Sequence, residues 1–138
     1  MSRFWFGMTI AGAGLIAACA TVAEAEISQE AAEKLAQFER TGEKTDCLQL
    51  RRIDSIDPLD ERHFLVRVGV RQYYLNEVSG GCFGAGDSFN RLQYTTTLTQ
   101  LCKNEIIKVV DNVNGFTTGS CGLGEFERLE KKPKDATE

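Results

Sequence analysis

The sequence predicts a mainly β protein, a small antiparallel β-barrel or sandwich with a short N-terminal helix that is stapled by disulfides. Between residues 46 and 129, apolar and polar residues alternate with a period of two in several short segments, as they do in half-buried strands. Asn114-Gly115 separates two such segments, and this dipeptide is typical of a two-residue type I′ hairpin turn. Four of the five cysteines lie in the same region, which indicates a cross-linked domain.

The amino terminus has the plan of a secretory signal peptide. A single cation, Arg3, precedes an apolar stretch from Phe4 to Ala18, and small residues follow. The apolar stretch is too short to span a bilayer as a helix. The sequence therefore predicts export.

Two cleavage sites fit this signal peptide. Ile16-Ala17-Ala18-Cys19 resembles a bacterial lipobox, which would remove residues 1–18 and place a lipid on Cys19. Ala23-Glu24-Ala25 is an A-x-A site that would remove residues 1–25 and release a soluble protein. We favour the lipobox, because a cysteine directly after the small residues is otherwise hard to explain.

The rest of the chain divides into three parts. Residues 19–45 are predicted to form a tether with a short helix from Ser28 to Arg40, since Ser28 is a suitable N-cap. Residues 46–129 form the predicted β domain. Residues 130–138 should be a disordered tail, because they carry no aromatic or large aliphatic side chain.

Export to an oxidising compartment predicts two disulfides among the remaining cysteines, which are Cys47, Cys82, Cys102 and Cys121. A zinc site and a redox-active pair are disfavoured, since the chain has no C-x-x-C motif and a single histidine, His63. We therefore predict neither a metal nor a cofactor. Of the three possible pairings, we favour Cys82 with Cys102, in turns that flank one strand. The second bond, Cys47 with Cys121, would then tie the first strand to the last, as closing a barrel requires.

A second hairpin is predicted from His63 to Val78. The hairpin has two candidate loops, a two-residue loop at Gly69-Val70 and a four-residue loop. Both loops contain an even number of residues, so both place the same side chains on each face of the hairpin. The predicted core face carries Phe64, Val66, Tyr73 and Leu75. The opposite face is mixed, and its candidate binding residues are His63, Arg67, Gln72 and Tyr74.

Three other features are better explained as turns and close packing than as sites. Three aspartates, Asp54, Asp57 and Asp60, lack the spacing of a calcium loop and are expected to cap turns. The glycine-rich segment around Cys82 lacks the Lys-Ser/Thr ending of a phosphate-binding loop. Two later glycines, Gly122 and Gly124, predict a bulge or a close backbone approach in the last strand.

The charge of the chain limits its partners. The formal net charge is −4, and loss of residues 1–25 leaves it unchanged because Arg3 and Glu24 are removed together. Both signs are mixed along the sequence. This balance argues against a nucleic-acid partner and offers no polybasic patch for anionic lipid, so membrane contact is expected only through the N-terminal lipid.

The order of landmarks between Cys47 and Leu129 resembles a proteobacterial family of small exported proteins, many of them lipoproteins, known as a domain of unknown function. The landmarks are a cysteine before an R-I-D-S segment, L-D-E-R-H-F-L-V-R, a tyrosine-rich strand, a G-C turn, L-C-K-N-E and S-C-G-L-G-E-F. The resemblance implies an exported location and a disulfide frame. It implies no activity and no catalytic residue.

The sequence favours a non-catalytic binding or structural module over an enzyme. One histidine and oxidised cysteines leave no nucleophile and base pair, so the enzyme alternative is a small periplasmic hydrolase that uses paired carboxylates. The expected partner is an envelope protein, a glycan or a small ligand. The expected location is the periplasmic side of the outer membrane, with a soluble periplasmic or secreted protein as the alternative.

Overall fold

One α-helix, one 3₁₀ turn (Leu50–Arg52) and ten strands form between residues 27 and 134, which is the part of the chain that the computed structural model describes. The helix α1 is Gln29–Leu35. The strands are β1 Phe38–Thr45, β2 Cys47–Gln49, β3 Ile53–Pro58, β4 His63–Val68, β5 Gln72–Glu77, β6 Asn90–Tyr94, β7 Gln100–Cys102, β8 Ile106–Asp111, β9 Thr117–Gly122 and β10 Phe126–Lys131. The predicted signal peptide, both cleavage sites and Cys19 lie outside the described residues.

Three antiparallel sheets make up the fold. The largest has the strand order β1-β10-β5-β4-β3, the second pairs β2 with β7, and the third has the order β6-β8-β9. The predictions of a mainly β chain, a short helix and two disulfides are confirmed. The prediction of a closed barrel is wrong. Strands β3 and β6 each lie at the edge of a sheet, and no strand pairing within the described residues joins them.

The main hydrophobic core draws on all three sheets. The five-stranded sheet contributes the fully buried Phe64, Val66 and Phe126. The other two sheets contribute Leu101 and Val109, which are also fully buried. Burying one such side chain contributes about 2 kcal/mol, so this contact between sheets is the main source of stability.

The amino-terminal part of the described chain corrects the predicted tether. Ser28 Oγ accepts a hydrogen bond from Ala31 N at 3.1 Å, as an N-cap should, but α1 ends at Leu35. The chain then enters β1, in which Phe38 pairs with Lys131 of β10. The segment from Phe38 to residue 45 therefore belongs to the β domain, because it finds a strand partner that is remote in sequence.

The predicted disordered tail, residues 130–138, begins before the last strand ends. Strand β10 continues through Glu130 to Lys131, and Lys132 N donates to Gln37 O at 2.9 Å. The polar side chains of this segment suit a sheet that faces solvent, so their polarity did not distinguish a strand from a tail. Residues 135–138 lie outside the described chain.

The β4–β5 hairpin corrects the predicted register. Its loop has three residues, beginning at Gly69 with φ +59°, and Val66 pairs with Tyr74. An odd loop reverses the parity that two- and four-residue loops share. Phe64 and Val66 therefore face the core as predicted, whereas Tyr73 and Leu75 lie on the opposite face.

The hairpin of β8 and β9 is confirmed, but its predicted turn type is wrong. Gly115 has φ +72°, whereas Asn114 does not have the positive φ that a type I′ turn requires. The loop is longer than two residues, since Asp111 N donates to Phe116 O at 2.9 Å. Asp111 Oδ1 also accepts from Val113 N at 2.6 Å, and this side-chain turn stabilises the longer loop.

The disulfides pair differently from the prediction. Cys47 is bonded to Cys102, and Cys82 is bonded to Cys121. The first pair lies directly opposite across β2 and β7, with Cα atoms 4.0 Å apart. The predicted pairing assumed that β2 meets the last strand in a closed barrel. In the structure β2 pairs with β7, whereas Cys121 lies on β9, which pairs with β8.

Candidate functional site

The four predicted binding residues do not share one surface. In the observed register His63 and Arg67 point to one face of the five-stranded sheet, and Gln72 and Tyr74 point to the other. Tyr74 is packed against the main core. The prediction that these four residues share one face is therefore wrong, and the reason is again the three-residue loop.

His63 is a structural residue in this fold. Its side chain is buried, and Nδ1 lies 2.9 Å from each carboxylate oxygen of Asp60. Asp60 Oδ1 also accepts from Arg62 N and His63 N, both at 2.7 Å, and Oδ2 accepts from Ser28 N at 3.1 Å. Asp60 thus caps the turn before β4, as predicted, and ties the start of α1 to it.

These contacts set the ionisation of Asp60. Burial by itself would raise the pKa of the carboxyl group, but the hydrogen bonds from the Arg62, Ser28 and His63 donors outweigh it and lower the pKa. A carboxylate that is held ionised and saturated with donors is suited to holding backbone, and it has little capacity left for a substrate proton.

A charged cleft opens beside β1, β5 and β10. Its lining residues are Arg40, Lys44, Leu75, Glu77, Glu125 and Glu127, around a volume of about 180 Å³. Arg40 Nε donates to Glu127 Oε2 at 2.8 Å, and its Nη2 donates to Glu77 Oε1 at 3.0 Å and to Glu127 Oε2. The guanidinium thus bridges two carboxylates from neighbouring strands.

The Arg40 guanidinium controls the charge of Glu127. The hydrogen bond from Arg40 lowers the pKa of Glu127 in spite of the opposing effect of burial, and the pKa of Arg40 is raised in return. A general acid needs a raised pKa, which is the opposite shift. The cleft is also smaller than the roughly 300 Å³ at which ligand pockets usually begin. Its geometry fits a structural ion pair better than a hydrolase centre.

A larger groove lies between β3 and β6, the open edges of the two bigger sheets. Its volume is about 380 Å³. The residues that line it are Ile53, Asp54, Ser55, Ile56, Pro58, Ala85, Asn90, Arg91, Leu92 and Tyr94. We call it the seam groove, because it lies between the edge strands of two sheets.

The seam groove offers two kinds of contact at once. Each edge strand has a ladder on one side, so half of its N–H and C=O groups point toward the groove. Apolar contact comes from Ile53, Ile56 and Leu92, which pack against the main core but are only partly buried. An extended chain could pair with the edges and cover these side chains.

Sequence reasoning missed the seam groove. Leu92 and Tyr94 lie on one edge of the groove, in β6, and nothing in the sequence around them marks an edge strand. The one local signal for the other edge is Pro58, because a residue without an N–H is tolerated at an edge. Which two edges meet depends on the assembly of all three sheets.

Other site types are not found in the described residues. Between residues 27 and 134 there is no group of three or more histidine, cysteine, aspartate or glutamate side chains that could hold a metal ion. In the same range no helix has the length and apolar character needed to cross a membrane.

Comparison with known proteins places the chain in context. Residues 1–136 match the model of a family of unknown function, DUF6491. No curated protein and no solved structure matches the chain.

Proposed function

The chain belongs to this family of unknown function, and we propose that it is an exported, non-catalytic binding module of the cell envelope that takes up an extended peptide between β3 and β6. The observation that carries the proposal is the seam groove, in which two open strand edges flank partly exposed core side chains. Addition of a strand to an exposed edge is a common mode of peptide recognition.

The chemistry of the groove indicates the kind of peptide. Main-chain groups of the two edges would supply affinity without regard to sequence, and alternate side chains would supply specificity. The floor is aliphatic at Ile56 and Leu92, with Tyr94 at 38% exposure beside them. A segment that alternates β-branched or aliphatic residues with polar ones would cover the floor and leave its polar side in water.

The proposed location rests on the cysteines and the amino terminus. Two disulfides within residues 27–134 favour an oxidising compartment over the cytosol. The lipobox-like sequence that ends at Cys19 favours a lipid anchor, on the periplasmic side of the outer membrane. Mass spectrometry of the mature protein tests this, since a diacylglyceryl group on Cys19 supports the anchor and a chain that begins at Glu26 contradicts it.

Peptide selection tests the groove. Peptides displayed on phage are selected against the mature chain with Cys19→Ser, and hydrogen exchange is then compared with and without the best peptide. We expect alternating aliphatic sequences, and slower exchange of amides in β3 and β6. Tyr94→Asp should weaken binding, whereas Gln93→Asp, outside the groove lining, should not. Protection confined to other strands would contradict the proposal.

The second candidate, a hydrolase with paired carboxylates, would use the charged cleft. Its specific observation is the convergence of Glu77 and Glu127 on Arg40. A screen with chromogenic glycoside and ester substrates tests it. Turnover that is lost in Glu77→Gln, with unchanged thermal stability, would favour the enzyme over the binding module.

A further inference from the structure

Four large apolar side chains project into solvent from two loops at one end of the β6-β8-β9 sheet. The loop before β6 carries Phe83 and Phe89, each 69% exposed, and the loop between β8 and β9 carries Val113 at 78% and Phe116 at 73%. Single exposed apolar residues are ordinary, but a group on adjoining loops marks an interaction surface. We refer to these four residues as the aromatic loop surface.

Backbone contacts hold the two loops side by side. Asn112 N donates to Phe89 O at 3.0 Å, which places the second loop against the first. Asn90 pairs with Asp111, so both loops leave the sheet at the same end. This juxtaposition brings Phe89 and Val113 to one region of the surface.

Phe83 joins this region because its loop packs on β9. A Cβ atom on Gly119 would lie 2.6 Å from Phe83 O, so only glycine permits this contact. The adjacent Cys82 is bonded to Cys121 of the same strand. The loop is thus covalently and sterically fixed to the sheet.

Side-chain caps further limit the freedom of both loops. Asp87 Oδ1 accepts from Phe89 N at 3.0 Å, and Asp111 Oδ1 accepts from Asn114 N at 3.2 Å as well as from Val113 N. Apolar groups that are ordered before binding lose little conformational entropy when a partner arrives. The surface therefore has the properties of a pre-formed contact site.

The charges around the surface select the partner. The first loop contains Asp87, Asp111 ends β8 beside the second loop, and neither loop contains lysine or arginine. Glu61 Oε1 reaches the first loop as the acceptor of Gly84 N at 3.2 Å, and Arg91 at the base donates to Asn112 Oδ1 at 2.9 Å. Three carboxylates and one guanidinium leave an acidic rim around an apolar centre.

We propose that the aromatic loop surface docks a protein whose contact surface is apolar at the centre and carries lysine or arginine at its rim. The acidic rim would repel the anionic surface of a phospholipid bilayer but attract such a protein. The backbone hydrogen bonds from Val113 and Asn114 lower the pKa of Asp111, so this carboxylate, ionised at neutral pH like any exposed aspartate, stays ionised to a more acidic pH. None of the four apolar residues lines the seam groove, although Arg91 borders both sites, and the proposal does not depend on the groove.

Paired model peptides test the proposal. The probes are a leucine-rich amphipathic helical peptide flanked by lysines and its twin flanked by glutamates, titrated into the mature chain with Cys19→Ser at low salt. We expect the lysine peptide to bind at least about tenfold more tightly than its twin. The triple variant Phe83→Ser, Phe89→Ser, Phe116→Ser should lose this binding. Equal affinity for both peptides, or binding to neither, would overturn the proposal.

Two sets of variants distinguish specific docking from unfolding and from nonspecific binding through exposed apolar side chains. Val70→Ser and Leu98→Ser remove exposed apolar side chains from other loops and should leave the affinity unchanged. The double variant Asp87→Asn, Asp111→Asn keeps a side-chain oxygen that can accept the hydrogen bonds of each loop. It should nevertheless reduce the preference for the lysine peptide over the glutamate peptide. The thermal unfolding of every variant is measured in parallel, and loss of binding counts only where the fold is retained. An unchanged lysine preference in the double variant would contradict the role of the acidic rim.

Two further measurements decide between this partner and other occupants. Sedimentation of the wild-type chain with phosphatidylcholine vesicles that contain phosphatidylglycerol, but not of the triple variant, would identify a membrane surface instead. A dimer in analytical ultracentrifugation that the triple variant dissolves would identify a second copy. Either result would overturn the proposal, and we expect neither.

Discussion

Arg40 Nε lies 2.8 Å from Glu127 Oε2, and this contact joins β1 to β10 across 87 residues of sequence. The Glu127 side chain is 9% exposed, whereas that of Arg40 is 56% exposed. We expect Arg40→Met to lower the free energy of unfolding by about 2 kcal/mol, because a buried carboxylate would lose its partner. Urea denaturation at pH 7 measures this.

The matched control for Arg40 is Lys44. Its Nζ lies 3.6 Å from Glu125 Oε2, and both side chains are about half exposed. Lys44→Met should therefore cost less than about 1 kcal/mol. Equal losses in the two variants would show that the burial of Glu127 does not matter.

The same ion pair predicts a pH dependence of stability. The pKa of Glu127 is lowered in the folded state, mainly by Arg40, so its stabilisation is complete above the unfolded value, about 4.3, and is lost as the pH falls through the folded pKa. The stability of the wild type should decrease as the pH falls below about 5. The slope in this range should be shallower in Arg40→Met. Urea titrations at several pH values between neutral and strongly acidic test this, and parallel curves would contradict it.

The disulfide frame is directly testable. Nonreducing peptide mapping should recover Cys47 with Cys102 and Cys82 with Cys121. Their sequence separations of 55 and 39 predict, on the chain-entropy model, a stabilisation of about 4 kcal/mol each. Replacing both cysteines of one pair by alanine should lower the urea midpoint by a corresponding amount. Recovery of Cys47 with Cys121 would contradict the fold as well as the bond.

Gly119 is expected to resist substitution. Its Cβ would lie 2.6 Å from Phe83 O and 3.0 Å from Phe83 N, both backbone atoms, so Gly119→Ala should destabilise the protein by about 1–3 kcal/mol. Gly86, in the same region, has no atom within 4 Å of a built Cβ and no positive φ. Gly86→Ala should be neutral or slightly stabilising. Thermal unfolding compares the two variants, and equal behaviour would exclude the close approach.

Asp60 is expected to anchor the amino-terminal helix. Asp60→Ala removes the acceptor for Ser28 N and for the turn before β4, and it should cost about 2 kcal/mol. Hydrogen exchange in α1 should also become faster. Asp57 is exposed, and among the described residues its side chain hydrogen-bonds to Ser55 alone, so Asp57→Ala should stay within about 0.5 kcal/mol of the wild type. Unchanged exchange in α1 would show that Asp60 does not hold the helix.

Local sequence signals predicted the helix and the strands more accurately than they predicted which strands pair with one another. Ser28 marked the start of α1. Gly124 was expected to allow a close backbone approach, and its built Cβ indeed meets Glu77 O. Each of these features depends on a few adjacent residues or on backbone space that only glycine leaves.

The candidate sites were harder to predict, since they depend on which strands become neighbours. His63 looked available for binding, but its proximity to Asp60 makes it structural. The glycine-rich loop around Cys82 was expected to turn sharply, but nothing local shows that Phe83 and Phe89 would meet the β8–β9 loop. Long-range pairing decides such contacts, and a single sequence does not record it.

The sequence by itself determined the mainly β class, the short helix, both hairpins and the oxidation of four cysteines, because alternation, caps and turn residues act locally. Only the tertiary structure decided the three-residue loop at Gly69, which moved Tyr74 to the core face. It also decided that Cys47 meets Cys102 and that β3 and β6 remain open. The physical reason is parity and pairing: one residue more in a loop reverses the faces of a strand, and the choice of strand partner depends on the whole core.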